Sequence, residues 1–89
     1  MLTIDRSTKF KKDAKKALRQ GLDLTELLSV VARLAAEEPL DKQHKDHDLI
    51  GNRKGHRDCH IKDDWVLIYK IEGGSLILSR MGTHSELFG

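Results

Sequence analysis

Apolar positions recur at helical spacing through the first half of the chain, then alternate or run together through the second. Phe10, Ala14, Ala17 and Leu18 stand at i, i+4, i+7 and i+8, one face of a helix predicted from about Thr8 to Gln20. Ser7 is placed to cap its start, and Gly21 to end it in a left-handed conformation. Leu24, Leu27, Leu28, Val31, Leu34 and Ala35 trace the apolar face of a second helix. Asp23 is its predicted N-cap, with Glu26 completing a capping box and Leu22 and Leu27 forming a hydrophobic staple. Pro39 requires that this helix stop by about Glu37. The pair, joined at Gly21-Leu22, reads as an αα-hairpin. Leu2-Thr3-Ile4 ahead of it reads as a short strand.

After residue 39 the period changes. Residues 40–48 are mostly polar and read as a loop, and Leu49-Ile50 begins a short strand broken at Gly51-Asn52. From His56 to Lys62 the residues alternate, with Cys59 and Ile61 facing inward and His56, Asp58 and His60 outward. Asp63-Asp64 is a turn, and Trp65 to Ile71 is apolar on both faces, as in a central strand. Glu72-Gly73-Gly74 is a hairpin turn leading into a strand from Ser75 to Arg80, and Met81 to Gly89 reads as a loop or one helical turn. Short turns make successive strands antiparallel. The expected fold is therefore α+β: two N-terminal helices packed on one face of a small, mainly antiparallel twisted sheet, with the other face open enough for a site.

Length and composition narrow the class. Eighty-nine residues are expected to make one domain, spanning 1–89, with a small core. A single cysteine excludes an internal disulfide and fits a reducing compartment. No apolar run is long enough to span a membrane, and the first residues lack the apolar stretch of a signal peptide, so the cytoplasm is the expected location. The net charge of +2 conceals an asymmetry: residues 1–20 carry +5, residues 21–41 carry −4 and the rest +1. The first helix is the main basic surface. By default it is a solvated helix face; contact with nucleic acid or the ribosome is the second reading.

All five histidines follow residue 43. Histidine exchanges protons most readily near neutral pH. His56 and His60 are four apart, a chelating spacing on a helix, but on a strand they stand roughly 13 Å apart, too far to share an ion. No metal site is expected. His60, Asp64 across a tight turn from it, and His84 after the last strand are residues that a sheet can bring together, although any one alone reads as a solvated polar group. Arg53, Lys54, Arg57 and Arg80 stand near them in sequence, and arginine binds phosphate oxygens in a bidentate way. Trp65 and Phe88 offer faces for base stacking, with a core role equally open to Trp65.

Lys45-Asp46-His47, Gly51 to Gly55, Arg57-Asp58-Cys59-His60-Ile61, Asp63-Asp64-Trp65-Val66-Leu67-Ile68-Tyr69, Gly82-Thr83-His84 and Leu87-Phe88 together resemble the YafQ branch of the RelE-type toxins. The resemblance covers the whole chain. It implies a RelE-like fold and the toxin of a bacterial type II toxin–antitoxin pair: a ribosome-dependent endoribonuclease cutting messenger RNA in the ribosomal A site, without metal or other cofactor. It also implies a neutralising, DNA-binding antitoxin as partner, with operator DNA reached only through that antitoxin. The family's catalytic positions fall on His47, His60, Asp64 and His84, and its terminal aromatic on Phe88. His84 is then the candidate acid and His60, supported by Asp64, the candidate base, with His47 its rival or helper. Arg57 and Arg80 are expected to stabilise the charged phosphorane, and Trp65 and Phe88 to contact RNA. His44 and His56 receive no role. Two alternatives stand beside this reading: a non-enzymatic, gyrase-inhibiting toxin of the ParE kind, and a nucleic-acid-binding module acting through the basic first helix.

Overall fold

The structure is a computed structural model that describes residues 1–49 and 55–89. The expected break at Gly51-Asn52, Ile50, and the basic pair Arg53-Lys54 lie outside the described residues. Strand β1 (Thr3–Arg6) leads into helices α1 (Thr8–Arg19) and α2 (Leu24–Ala35). A short strand β2 (His47–Asp48) precedes a meander of β3 (Arg57–Lys62), β4 (Trp65–Glu72) and β5 (Ser75–Thr83), and α3 (His84–Phe88) closes the fold. The sheet order is β1-β5-β4-β3-β2. Every pairing is antiparallel except β1 with β5, which is parallel. The α+β expectation holds, and the segment read as a loop from 40 to 48 carries a single 3₁₀ turn at Lys42–His44 as well as β2.

The helix boundaries follow from their caps. The Ser7 hydroxyl accepts from the Phe10 amide at 2.9 Å and donates to the Ser79 carbonyl at 2.8 Å, so the residue that starts α1 also fastens it to β5. Gly21, at φ 105°, turns the chain out of α1. The Asp23 carboxylate caps α2 at the Thr25 amide, 2.8 Å away. Glu26 does not close the expected box at that end; its carboxylate faces Lys62 across 3.9 Å.

Both helices sit on one face of the sheet. Phe10 and Ala17 of α1 and Leu27, Val30, Val31, Leu34 and Ala35 of α2 share one core with Cys59, Ile61, Leu67, Tyr69, Leu76, Leu78 and Met81. Each fully buried aliphatic side chain contributes roughly 1.5–3 kcal/mol. The strand parity behind this core is broken once. Ile68 pairs with Arg80 and Tyr69 with Leu78, so Ser79 is an extra residue, a β-bulge. The bulge lets Leu76, Leu78 and then Met81 all enter the core, and it sets the phase at which Gly82 and Thr83 deliver the chain to α3. Beyond Ser79 the edge of β5 is covered by α1: the Met81 amide donates to Asp13 at 3.0 Å. The strand runs on to Thr83, three residues further than its alternation alone indicates. On the opposite face Val66 and Ile68 are fully buried as well, and α3 folds back so that Leu87 lies against Gly82.

Candidate functional site

The site is assembled on the sheet face opposite α1 and α2. His60 pairs with Val66, and Val66 pairs with Gly82, so the middle of β3 and the end of β5 lie side by side across β4. His84 follows directly as the first residue of α3. The two imidazoles face each other with ring centres 6.4 Å apart. One turn on along α3, the Phe88 ring lies 4.8 Å from His84 at a 50° tilt and remains 41% exposed. His60, His84 and Phe88 thus form a row.

The carboxylate among the histidines is Asp58, not Asp64. Read as outward-facing, Asp58 is nonetheless buried, because β2 pairs His47 directly across from it. His47 Nδ1 donates to the Lys45 carbonyl at 2.6 Å, leaving Nε2 3.0 Å from Asp58 Oδ1. That approach is an ion-pair contact without hydrogen-bond alignment, so Oδ1 is a buried acceptor with no hydrogen-bond donor. Because Nδ1 keeps its hydrogen to donate to that carbonyl, Nε2 is the ring nitrogen left to face the carboxylate. Burial pushes the Asp58 carboxyl up from its ordinary value; His47, His60 and His84 pull it back down, and Asp46 pushes it up again. Asp64 is exposed in the β3–β4 turn and makes no hydrogen bond to His60. Strand alternation already put Asp58 on the same side as His60; only the burial that β2 imposes was hidden.

His44 was assigned no role, yet it is buried, and its Nδ1 lies 2.6 Å from the His60 carbonyl. The 3₁₀ turn that carries it ends at Lys45 in a left-handed conformation, which returns His47 to β3. Nothing in the spacing of the histidines signals this tie.

The expected RNA-binding residues divide. Arg57 shares the core-facing side of β3 with Cys59 and pairs with Tyr69. Its Nε lies 3.3 Å from both Asp46 and the Tyr69 hydroxyl, and its Nη1 2.6 Å from Asp48. The Tyr69 hydroxyl donates to Asp46. The hydrogen bond to Tyr69 and the Asp46 charge outweigh burial and hold the guanidinium above its ordinary basicity. Arg57 is therefore held away from the imidazoles by strand parity and two carboxylates. Arg80 is bound by Asp13 of α1, with Nε at 2.7 Å. Trp65 is partly buried against the core and lines a cavity of about 310 Å³ with Asp13, Lys16, Arg80 and Glu86. Burial pushes the Cys59 thiol up to about 12, so this cysteine is a packing residue rather than a nucleophile.

The helix that presents His84 is anchored by its own cap. Thr83 N donates to Glu86 at 3.0 Å, the Glu86 amide donates to the Thr83 hydroxyl at 3.3 Å, and Lys16 of α1 pairs with the same carboxylate. Lys16, then the Thr83 amide, hold the Glu86 carboxyl at about 2. Among the described residues, no three histidine, cysteine, aspartate or glutamate side chains are grouped so as to hold a metal ion.

Comparison with known proteins places these observations. The family described as bacterial toxin of type II toxin-antitoxin system, YafQ, matches residues 2–89. The mRNA interferase toxin YafQ of Escherichia coli strain K12 is 40% identical over 87 residues, covering 97% of this chain and 95% of that protein. A metal-bound toxin from Helicobacter pylori superposes with a TM-score of 0.93 at 49% identity, covering 99% of this chain and all of that one. The toxin of the Escherichia coli DinJ–YafQ complex superposes with a TM-score of 0.91 at 39% identity, with both chains fully covered.

Proposed function

The chain belongs to the YafQ family of bacterial type II toxin–antitoxin toxins, and from that membership we propose that it is an endoribonuclease that cleaves messenger RNA in the ribosomal A site by acid–base chemistry on its own side chains. The relatives named mRNA interferases support the activity. The observation that carries the chemistry is the convergence of His60 and His84, ring centres 6.4 Å apart, beside the His47–Asp58 contact. A gyrase-inhibiting toxin of the same fold gives these imidazoles nothing to do.

In the proposed step the RNA 2′-oxygen attacks the adjacent phosphorus. The O2′–P bond forms, the P–O5′ bond breaks, and a 2′,3′-cyclic phosphate and a 5′-hydroxyl result. His60 takes the 2′-proton, with His47 the rival base and Asp64 the exposed carboxylate at hand on the neighbouring turn. His84 gives a proton to the departing O5′. Phe88, 4.8 Å from His84, stacks on a base, and Trp65 and Arg80 flank the RNA path. Arg57, tied to Asp46 and Asp48, reaches RNA only by giving up those partners. Positioned acid–base groups supply about 10²–10⁴-fold.

The antitoxin is the expected protein partner, as in the DinJ–YafQ complex, and DNA is reached only through it. The cytoplasm, where ribosomes translate, is the proposed location; no helix among the described residues is long and apolar enough to cross a membrane. The test is mapping of 5′ ends on a translated message with purified chain and ribosomes, with and without EDTA. Cuts between A-site nucleotides that require the ribosome and survive the chelator are expected. Cleavage of free RNA at the same rate overturns the ribosome dependence, and loss of activity in EDTA, restored by copper or zinc, overturns metal independence. Because a close structural relative was solved metal-bound, the second arm is decisive.

A further inference from the structure

His44 is a buried histidine outside the row of imidazoles, carried by the 3₁₀ turn at Lys42–His44 that packs against β3. Its Nδ1 lies 2.6 Å from the backbone carbonyl of His60. A carbonyl oxygen only accepts, so Nδ1 carries the hydrogen, in the neutral ring as in the charged one. The tie therefore holds in either protonation state of His44. Its partner is the peptide of the very residue whose imidazole faces His84.

The neighbouring strands give His60 little support at this point. β2 pairs Asp48 with Arg57 and His47 with Asp58, and His60 lies two residues past the last of these pairs. On its other side the ladder slips directly after His60, which pairs with Val66 while Lys62 pairs with Trp65. His60 thus stands where one neighbouring strand has ended and the register with the other changes. Ahead of β2 the chain passes through Lys45, left-handed at φ 47°, and the turn before it sets the His44 ring against β3 beyond the last β2 pair. The Lys45 carbonyl in turn accepts from His47 Nδ1 at 2.6 Å. Two consecutive residues therefore hold both candidate bases, one through the backbone of His60 and the other through the ring of His47.

Packing alone does not seat this turn. His44 and His60 line a cavity of about 270 Å³ with Gln43, Lys62 and Asp63, so one flank is open and the hydrogen bond sets the distance to β3. The direction of a Cα–Cβ bond follows the peptide planes beside it. A carbonyl held at His60 therefore holds the line along which its imidazole approaches His84. Misplacing a reacting group by about 1 Å costs up to about 10²-fold in rate.

We propose that His44 is a positioning residue: its Nδ1–H fixes the His60 peptide and so aims the His60 imidazole at the scissile phosphodiester beside His84. The proposal rests on the nuclease reading for what His60 does, and on the hydrogen bond alone for the tie.

The test pairs steady-state kinetics on translated message with NMR of the full-length chain. His44→Phe keeps an aromatic ring and removes the donor, whereas His44→Asn sets an amide N–H where Nδ1–H stood. His44→Phe is expected to lower kcat by about ten- to a hundredfold with KM within about threefold, and His44→Asn to stay within about threefold of the parent. The His60 and His84 ring signals should move in His44→Phe and hold in His44→Asn. Equal losses of kcat in the two variants overturn the proposal, as does unchanged turnover in His44→Phe. Where His44→Phe does not fold, His44→Gln takes its place, its amide lying at the Nε2 position instead; turnover equal to that of His44→Asn then overturns the proposal. A parent chain that cuts no message sinks the nuclease reading, and the ring signals alone then decide the tie: moved in His44→Phe they uphold it, unmoved they overturn it.

Discussion

The imidazole of His84, carried by a five-residue helix at the end of the chain, faces that of His60, in the middle of β3, across a ring-centre distance of 6.4 Å. Twenty-four positions separate them in sequence, and the β3-β4-β5 meander closes that gap. In the proposed reaction that separation holds a phosphodiester between His84 as acid and His60 as base. His84→Ala is expected to lower the single-turnover cleavage rate by about 10²–10⁴-fold. Thermal stability should change by less than about 0.5 kcal/mol, because the side chain is exposed. A variant that remains fully toxic in cells while folded removes His84 from the acid role.

Asp58 is expected to trade stability for function. Its carboxyl is pushed above the ordinary value of 3.8, chiefly by burial. A carboxyl raised in the folded state favours folding fully below its unfolded value and loses that contribution as pH rises through the folded one. The charged form is thus a net cost at neutral pH. Asp58→Asn should raise the melting temperature at pH 7, with the gap closing as pH falls below 3.8. Cleavage should fall at least about tenfold as His47 loses its facing anion. A melting temperature that drops, or cleavage that is untouched, contradicts this account.

Glu86 is expected to matter through His84 rather than through global stability. Its carboxylate closes the α3 capping box and meets Lys16 of α1. Its carboxyl is lowered to about 2 from 4.5, so its contribution is present above pH 4.5 and is lost as pH falls toward 2. Glu86→Ala should reduce the turnover rate by about tenfold with little change in KM, since a displaced acid affects the reacting geometry. Glu86→Gln, which retains an acceptor for the Thr83 amide, should recover most of it. The His84 ring signals in NMR should shift in the alanine variant alone. A pure loss of melting temperature with unchanged turnover makes Glu86 a structural residue only.

Arg57 separates the sequence expectation from the tertiary one. As a phosphate ligand it would lower cleavage strongly when removed. Held by Asp46, Asp48 and the Tyr69 hydroxyl, it should instead lower stability when changed to methionine. The expected loss is about 1 kcal/mol, at the low end for charged hydrogen bonds because the guanidinium is partly solvated. Turnover should stay within about threefold. Urea melts beside a cleavage assay distinguish the two.

Helix positions, caps and the order of the strands were legible along the chain because each rests on contacts within a few residues: the Phe10-Ala14-Ala17 spacing, the Ser7 and Asp23 caps, the Gly73-Gly74 turn. Histidines of the second half were legible as chemistry, and alternation set His60 opposite Cys59. What no local pattern encodes is where distant segments meet. The parallel seat of β1 beside β5, the extra residue at Ser79 that carries Met81 into the core, and the return of β2 over Asp58 are all long-range pairings. Those pairings turn a carboxylate that alternation faces outward into the buried anion among three imidazoles, and draw Arg57 to the other face. Side-chain type is a property of the chain, but burial and charge environment are properties of the neighbours, and these exist only once the sheet has closed.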